Sequence, residues 1–461
     1  MEITQVQNGA PLPSDRTTAS AEAQRSVLTA LFLQLERSNI AYCVVGDTED
    51  LSAGLTNDVD IVVAPEALAA IPELLHRVGA QTGAVPVQAI RHEPTAVMFV
   101  LAGRDKAGKL FFVQLDVCSH YYREGRKLLG AHEMLDGRRH KSAGPISYFV
   151  PASASEIRYY LIKKLAKGSI DPRHAAHMTA RWAADPSGVN DAIQSLLPKA
   201  EADVVVAAIQ DGDWSAIKGN RARFWEQLRV EGARRALFRE AVRSVKRLVR
   251  PTGYWIALFG PDGAGKSSVN AELRKKLAPA FWRTEYMHLR PRLGSETAEQ
   301  IVVTDPHAMS PRSWLGSVLK VFYYGLDYVL GYWLRIRPLR VRSTLLIFDR
   351  YFHDMMADPV RYRYGGPAWL VAVVGRLLPG PDLFLFLDAD AGTIHERKAE
   401  VSREETERQR TAYVHLATRV RPSAIVDAAQ RLDDVVDAAA DIVIDHLAER
   451  FVRRFRVGGG A

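Results

Sequence analysis

Hydrophobic and polar residues alternate in regular patterns along the first third of the chain. From Arg25 to Asn39 apolar residues recur every three or four positions, which predicts an amphipathic helix, and residues 65–78 repeat that spacing. Short apolar runs between these segments predict strands at residues 41–45, 59–63, 97–101 and 111–117. The pattern ends near residue 144, so the sequence predicts an α/β domain up to that point.

The middle of the chain has a helical pattern in residues 153–196 and again in residues 221–250. In the second stretch apolar residues lie roughly on one side of the helix and arginines on the other. The arginines are Arg229, Arg234, Arg235, Arg239, Arg243 and Arg247. Such a helix fits either an anionic membrane surface or a solvated basic face, and the solvated face is the commoner outcome.

Strand and helix patterns alternate again from residue 254 onwards. Apolar runs at residues 254–259, 343–349 and 381–388 predict buried strands, and residues 269–277 predict a helix. Strands separated by helices are typical of a doubly wound parallel sheet. We therefore predict an α/β fold with such a sheet in the C-terminal part of the chain.

Residues 313–336 are rich in apolar and aromatic side chains. A transmembrane helix needs about 20 largely uncharged residues, and Lys320 and Asp327 interrupt this stretch. We expect a core helix that lines a substrate cleft. Four arginines follow closely and are candidates for contact with phosphates or with a membrane edge: Arg335, Arg337, Arg340 and Arg342.

The chain has 461 residues, which is too long for one ordinary core and predicts two or three domains. Residues 1–22 are rich in Ser, Thr, Ala, Gln and Pro, and predict a disordered arm. We predict a first α/β domain at residues 23–145, a helical connector at residues 146–250 and a second α/β domain at residues 251–456.

The composition is that of a soluble globular protein, with 47% hydrophobic and 25% charged residues. The formal net charge of +8 permits anionic partners, but we find no zinc-finger or RNA-recognition pattern, so nucleic-acid binding is not favoured. Cys43 and Cys118 are interpreted as buried thiols, and residues 1–20 have no apolar signal segment. We therefore expect a cytoplasmic protein, and leave open a peripheral membrane contact and a homodimer.

The segment from Gly260 to Ser268 matches the phosphate-loop pattern G-x-x-x-x-G-K-[ST]. It follows a predicted strand and precedes a predicted helix, which is the context that this pattern requires. The backbone N–H groups of such a loop point at phosphate oxygens, and the lysine reaches the β and γ phosphates. The candidate residues for binding ATP are Gly260, Gly263, Gly265, Lys266, Ser267 and Ser268.

Asp349 ends the apolar run of residues 343–349, as expected of a carboxylate that holds Mg²⁺ beside the Ser267 hydroxyl. Asp388 ends a second such run. A charged helical stretch follows, and its arginines are candidates for a lid over the transferring phosphate. A solvated helix face is the commoner interpretation of each single arginine, apart from Arg397 and Arg403.

These features resemble the thymidylate kinase family of nucleoside monophosphate kinases. The resemblance rests on an acid at the third loop position, the Asp349-Arg350-Tyr351 triplet, the strand at residues 381–388 and, most weakly, residues 425–436. It implies that Arg350 contacts the acceptor phosphate, that Asp262 lies near the acceptor sugar, and that Arg397 and Arg403 belong to a lid. With these roles the predicted catalytic residues are Lys266, Asp349, Arg350, Arg397, Arg403 and Asp262.

The chain departs from this family after the triplet. True thymidylate kinases usually place a Gln-bearing segment there to bind the base, and residues 352–367 contain no glutamine. The chain looks more like the divergent thymidylate-kinase-like proteins seen beside bacterial surface-polysaccharide genes. We take Asp354, Asp358, Arg361 and Arg363 as candidates for binding an unusual acceptor.

Three carboxylates mark the N-terminal domain. Asp58 and Asp60 lie on one face of a predicted strand, and Asp116 ends another. Such a set can hold two Mg²⁺ ions for attack on a nucleotide α-phosphate. The arrangement resembles the polymerase-β-type nucleotidyltransferases, in which a Gly-[Gly/Ser] pair precedes the D-x-[DE] pattern; this chain has Gly46-Asp47 at that position.

Three functions are therefore kept open. The leading hypothesis is an ATP- and Mg²⁺-dependent phosphotransferase that acts on a nucleotide- or sugar-like small-molecule acceptor. The second is nucleotidyl transfer by the N-terminal domain. The third is an ATP-binding, non-enzymatic regulator of polysaccharide assembly.

Overall fold

The computed structural model describes residues 18–46, 48, 51, 55, 58–123, 126–167, 170, 172–228, 245, 247–291, 312–397 and 402–457. Two compact units are present: residues 1–245 together with 447–461 form the first, and residues 246–446 form the second. Asp47 and most of the predicted basic helix, residues 229–244, lie outside the described residues.

The first unit contains a five-stranded mixed sheet. Its strands are β1 (Tyr42–Val45), β2 (Val59–Val63), β3 (Val85–Glu93), β4 (Ala96–Arg104) and β5 (Leu110–Cys118). The strand order is β1-β2-β5-β4-β3; β2 and β5 are parallel, and the other neighbours are antiparallel. The parallel register places Asp60 beside Asp116, so two predicted metal ligands lie on adjacent strands.

Two hairpins and nine helices accompany this sheet within the described part of residues 18–228. The hairpins are β6 (Tyr121–Arg123) with β7 (Arg126–Leu129), and β8 (Arg139–Ala143) with β9 (Ile146–Val150). The helices are α1 (Thr18–Arg37), α2 (Ile71–Thr82), α3 (Ala131–Leu135), α4 (Ser153–Lys167), α5 (Pro172–Ala184), α6 (Pro186–Leu196), α7 (Lys199–Asp211), α8 (Ser215–Gly219) and α9 (Arg221–Gln227), with a 3₁₀ turn at Pro65–Ala69.

The unit boundaries differ from the predicted domains in three places, one of which is that residues 447–456, predicted in the second α/β domain, belong to the first unit. Helix α1 begins at Thr18, so residues 18–22 of the predicted arm are helical. Residues 146–245, predicted as a separate connector, belong to the same compact unit as the mixed sheet. The reason is packing: Ile157 of α4 and Ile193 of α6 share one hydrophobic core with the strands.

The second unit is built on a five-stranded parallel sheet, which confirms the predicted α/β architecture. Its strands are β10 (Tyr254–Phe259), β11 (Arg283–His288), β12 (Thr344–Asp349), β13 (Leu383–Asp388) and β14 (Ser423–Asp427). The order is β11-β12-β10-β13-β14. Every residue of β10 and β12 is buried, as expected for strands covered on both faces.

Helices connect these strands. They are α10 (Lys266–Leu277), α11 (Trp314–Gly331), α12 (Arg337–Val341), α13 (Asp354–Ala357), α14 (Ala368–Leu377), α15 (Ala391–Arg397), α16 (Arg403–Arg419) and α17 (Leu432–Phe455). A 3₁₀ turn follows α10 at Ala278–Ala280, and a π-helical segment, Tyr332–Ile336, joins α11 to α12. Residues of α17 from Leu447 onwards belong to the first unit.

Helix α11 matches the predicted core helix on one face only. Val321 and Tyr328 are buried in the core of the second unit. The opposite face exposes large apolar side chains to solvent: Trp314, Leu315, Leu319, Phe322, Tyr323, Leu326 and Leu330. Among the described helices, none is long and apolar enough to cross a membrane.

His353 is a buried histidine that should make the stability of the second unit depend on pH. Its ring contacts the rings of Tyr351 and Phe384, with centroid distances of 5.7 Å and 5.2 Å, and burial lowers its pKa to about 4. The unfolded chain, with a pKa of 6.5, therefore takes up a proton first as the pH falls. We expect this group to cost about 3 kcal/mol of stability between pH 6.5 and pH 4.

The measurement is denaturant unfolding of wild type and His353→Leu at several pH values. The variant should show a shallower fall in unfolding free energy between pH 6.5 and 4. His415→Asn, which changes an exposed histidine, is the control and should follow wild type. Parallel curves for wild type and His353→Leu would contradict the assignment.

Candidate functional site

The loop between β10 and α10 has the backbone of a phosphate-binding turn. Gly260 has a φ of 146°, and a Cβ at this position would lie 2.6 Å from the carbonyl oxygen of Leu387, so a side chain does not fit. Gly263 and Gly265 also have positive φ values, of 89° and 84°. Helix α10 begins directly after the loop, so its N-terminal N–H groups and dipole favour an anion here.

Lys266 is the first residue of α10, and its side chain folds back over the loop. Its ammonium group donates to the carbonyl oxygens of Gly260 and Pro261, at 2.9 Å and 2.8 Å. Burial, followed by the nearby charge of Arg350, lowers the pKa of Lys266 to about 8. Ser267 and Ser268 follow on the exposed first turn of the helix. The ammonium group of Lys266 therefore lies at the phosphate loop, as predicted, and the two serines follow it directly in the sequence.

Asp262 joins the phosphate loop to the strand end that carries Arg350. The Arg350 guanidinium donates to Asp262 Oδ1, Arg361 donates to Oδ2, and the Lys266 ammonium lies 3.5 Å from Oδ1. Burial alone would raise the pKa of Asp262, but these three cations hold it well below the usual range. Two other predicted catalytic residues, Lys266 and Arg350, thus meet at the carboxylate of Asp262.

Arg350 is held in a buried network that the sequence did not predict in full. It has a φ of 68°, and its Nη1 donates to Asp354 at 3.0 Å and to the hydroxyl of Tyr413 at 2.6 Å. The hydroxyls of Tyr362 and Tyr413 also donate to Asp354, at 2.7 Å and 2.8 Å. Asp354 is fully buried, and it fixes the orientation of Arg350.

Arg361 and Asp358, two of the predicted acceptor-binding residues, lie beside this network. Arg361 Nε donates to Asp358 Oδ2 at 3.2 Å, and the amide of Gln409 lies 3.4 Å from the same oxygen. Asp358 and Gln409 are both buried. Gln409 and Tyr413 are spaced by four on α16, which is the signal that could have identified a buried polar face on this charged helix.

Asp349 ends β12, and the sheet register places it beside Leu258 near the end of β10. Its Oδ2 lies 3.5 Å from the Tyr286 hydroxyl, whereas its buried Oδ1 has no hydrogen-bond partner among the described residues. A buried carboxylate oxygen without a partner is costly unless a ligand satisfies it. Asp349 and the Ser267 hydroxyl therefore fit the oxygen donors that Mg²⁺ prefers.

The predicted lid arginines make other contacts. Arg397 Nη1 donates to the carbonyl oxygen of Ala428 at 2.7 Å. Arg403 lines an open cleft between α15 and α16, together with Asp390 and Gly392. Neither contact involves Asp262 or the phosphate loop, so a lid function for these two residues stays a prediction.

In the first unit, Asp58, Asp60 and Asp116 are brought together as predicted. One carboxylate oxygen of each lies within 4.8 Å of the others. Burial raises the pKa of Asp116 to about 6, and the charges of Asp60 and Asp58 add to this effect while His92 opposes it. His92 Nε2 lies 3.4 Å from Asp116 Oδ2. Three carboxylates at this separation fit a divalent cation.

Lys163 of α4 is a residue of this site that the sequence did not indicate. Its ammonium group donates to Asp60 Oδ2 at 2.5 Å and to the Tyr159 hydroxyl at 2.8 Å. The spacing of four places Tyr159 and Lys163 on the same face of α4. Lys163 thus compensates part of the negative charge of the three aspartates.

The chain is similar to known thymidylate kinases over less than half of its length. It is 24% identical over 207 residues to a probable thymidylate kinase from Staphylothermus marinus, covering 42% of the chain and 96% of that protein. It is 29% identical over 218 residues to a thymidylate kinase from Enterococcus faecalis, covering 43% of the chain and 99% of that protein. No family model matches the chain.

Among solved structures, thymidylate kinase from Ehrlichia chaffeensis is similar to the chain with a TM-score of 0.31 at 15% identity, covering 42% of the chain and all of that structure. The sequence relatives support a thymidylate kinase-like domain over about 43% of the chain. This is consistent with a P-loop kinase, and it supports a nucleotide kinase or related phosphotransferase.

Proposed function

We propose that the second unit transfers the γ-phosphoryl group of ATP to a nucleotide- or sugar-like small molecule. The observation that carries this proposal is the meeting of Lys266, Arg350 and Asp262 at the carboxyl end of a parallel sheet. Ligands of open α/β sheets bind at this end of the strands. Cations from two different elements there can act on one polyphosphate.

These contacts suggest a role for each residue in phosphoryl transfer. The loop N–H groups and Lys266 hold the β and γ phosphates, and Arg350 stabilises charge on the transferring group. The acceptor oxygen forms a bond to the γ phosphorus as the bond to the β–γ bridging oxygen breaks, and ADP leaves. Asp354 keeps Arg350 oriented throughout, because it is fully buried and both of its carboxylate oxygens accept from Arg350 Nη1.

Asp349 and Ser267 would hold Mg²⁺, because Asp349 has a buried oxygen without a partner and Ser267 presents a hydroxyl on the first turn of α10. When bound there, the ion would neutralise negative charge on the β and γ phosphates. An acceptor screen on the full chain, with ADP and pyrophosphate measured separately, tests the proposal. Formation of ADP that depends on an acceptor supports it. ATP binding without turnover across the screen would favour a non-enzymatic, ATP-binding regulator.

A second candidate function is nucleotidyl transfer by the first unit, which the cluster of Asp58, Asp60 and Asp116 supports. These carboxylates would hold divalent cations, whose chemistry would be activation of a hydroxyl for attack on an α-phosphate, with release of pyrophosphate. Lys163 already neutralises one oxygen of Asp60, so the metal has to share that carboxylate with an ammonium group.

The metal site of the first unit can be tested by Mn²⁺ binding. We expect the double variant Asp58→Asn/Asp60→Asn to bind Mn²⁺ at least tenfold more weakly there, because two anionic ligands become neutral amides. Electron paramagnetic resonance of bound Mn²⁺ measures this loss, and pyrophosphate release from ATP should disappear with it. Glu66→Gln, at an exposed position, is the matched control. Unchanged pyrophosphate release in the double variant would exclude nucleotidyl transfer by these aspartates.

A further inference from the structure

Four cationic side chains lie near one another beside the proposed acceptor segment. Arg290 follows β11, Arg312 precedes α11, Lys320 lies within α11, and Arg363 follows α13. We call Arg290, Arg312, Lys320 and Arg363 the distal cation cluster. They come from three separate parts of the second unit, so the fold and not a run of basic sequence brings them together.

Aromatic rings and backbone contacts fix the geometry of the distal cation cluster. The Lys320 ammonium donates to the carbonyl oxygen of Tyr362 and lies 5.2 Å from the centroid of the Tyr324 ring. The Arg290 guanidinium lies 4.6 Å from the same centroid. The backbone N–H of Arg312 donates to the carbonyl oxygen of Arg363 at 3.0 Å. Two cations thus share one ring, and the other two are joined through the backbone.

The charges within this cluster oppose one another. Burial, and then the charges of Arg312, Arg290 and Arg363, lower the pKa of Lys320 to about 8. Asp327 lies 3.3 Å from Arg290 and compensates part of the charge. Like charges held beside the half-buried ammonium group of Lys320 cost free energy, and a bound anion would reduce that cost.

Arg350 and Arg361 differ from Lys320 in the groups that they contact. Arg350 contacts Asp354 and Asp262, and Arg361 contacts Asp262 and Asp358, so these cations already have carboxylate partners. Lys320, by contrast, contacts a carbonyl oxygen and two aromatic rings. Among these three cations Lys320 is therefore the one best placed for an additional anion.

Tyr362 connects the cluster to the proposed transfer site. Its ring centroid lies 5.9 Å from the Lys320 ammonium, and its hydroxyl donates to Asp354, which holds Arg350. One tyrosine side chain therefore separates the cluster from the residues that contact Arg350.

We propose that the distal cation cluster binds a phosphate-type dianion of the acceptor, at the end opposite to the oxygen that receives the γ-phosphoryl group. This assignment rests on the proposed phosphotransferase function. It narrows the acceptor to a small molecule that already carries a phosphate away from its reactive oxygen. The bare cluster is also expected to bind inorganic phosphate, which provides a test that does not need the acceptor.

The test is calorimetric titration of inorganic phosphate into four full-length proteins: wild type, Lys266→Ala, Lys320→Met and the double variant. Lys266→Ala weakens phosphate binding at the loop, so the remaining binding reports on the cluster. We expect Lys320→Met to weaken that remaining binding about tenfold or more, the scale of a lost charged hydrogen bond. Equal phosphate affinity in Lys266→Ala and in the double variant would overturn the proposal.

Further variants keep the test independent of folding and of net charge. Arg312→Gln, at an exposed position, should weaken phosphate binding in the same direction without disturbing the core. Lys275→Met removes an exposed lysine that pairs with Glu272, and should leave phosphate affinity unchanged. If Lys275→Met weakens binding as much as Lys320→Met does, the effect is one of net charge alone and the proposal fails.

A second readout follows Lys320 itself. Its lowered pKa makes it reactive towards acetic anhydride near pH 8, and bound phosphate should slow its acetylation as measured by mass spectrometry. Acetate, a monoanion, should protect much less. Protection of Lys320 in a protein without kinase activity would support the anion site, while the phosphotransferase proposal would fail. Kinase activity without protection of Lys320 would support the phosphotransferase proposal and overturn the anion site.

Discussion

The variant Lys266→Ala is expected to lose transfer of the γ-phosphoryl group by about a hundred- to a thousandfold. Its ammonium group is the buried cation of the phosphate loop and lies 3.5 Å from the carboxylate that also binds Arg350. Truncation to alanine removes the charge but leaves the helix start intact, because alanine favours helices. The measurement is the rate of acceptor-dependent ADP formation, with ATP affinity determined in parallel by calorimetry.

Lys275→Ala is the matched control for this variant. Lys275 lies on the same helix, but it is exposed and pairs with Glu272 at 2.7 Å. Its replacement should leave the rate within a factor of about two of wild type, the expectation for a surface ion pair. If Lys266→Ala transfers phosphate as fast as Lys275→Ala, then the phosphate loop is not the catalytic centre.

The parts of the site that lie close together in sequence were predictable. The spacing of Gly260, Gly265 and Lys266 identifies the loop, and Asp349 is recognisable because it ends a continuous apolar strand. Parallel strand order then places both at one edge of the sheet. No contact between distant residues is needed for these predictions.

The partners of Arg350 could not be predicted in the same way. Tyr413 lies 63 positions after Arg350 in the sequence, and it reaches Arg350 only because α16 packs against α13. Lys163 and Asp60 are 103 positions apart, and a single sequence contains no signal that pairs them. For Arg397 and Arg403 the resemblance to a family supplied a role in a lid. The contacts of these two arginines in the structure do not test that role.

The buried pair of Arg350 and Asp354 leads to the largest expected loss of stability. Asp354 is fully buried, and Arg350 is 3% exposed. Asp354→Ala would leave the guanidinium and the hydroxyls of Tyr362 and Tyr413 without their shared acceptor. Breaking such a pair costs about 3–5 kcal/mol, because the buried guanidinium then keeps only the carboxylate of Asp262, which Arg361 and Lys266 also contact. We expect this loss in the unfolding free energy of the second unit.

Hydrogen exchange of β12 measures this quantity within the second unit, even if the chain does not unfold in one step. Asp354→Asn keeps an acceptor oxygen and the side-chain shape, so it should lose clearly less protection than Asp354→Ala. Glu396→Ala removes an exposed carboxylate from α15 and should leave β12 unchanged. Equal protection in Asp354→Ala and Glu396→Ala would mean that Asp354 does not hold Arg350, and the fixed orientation on which the transfer proposal depends would be lost with it.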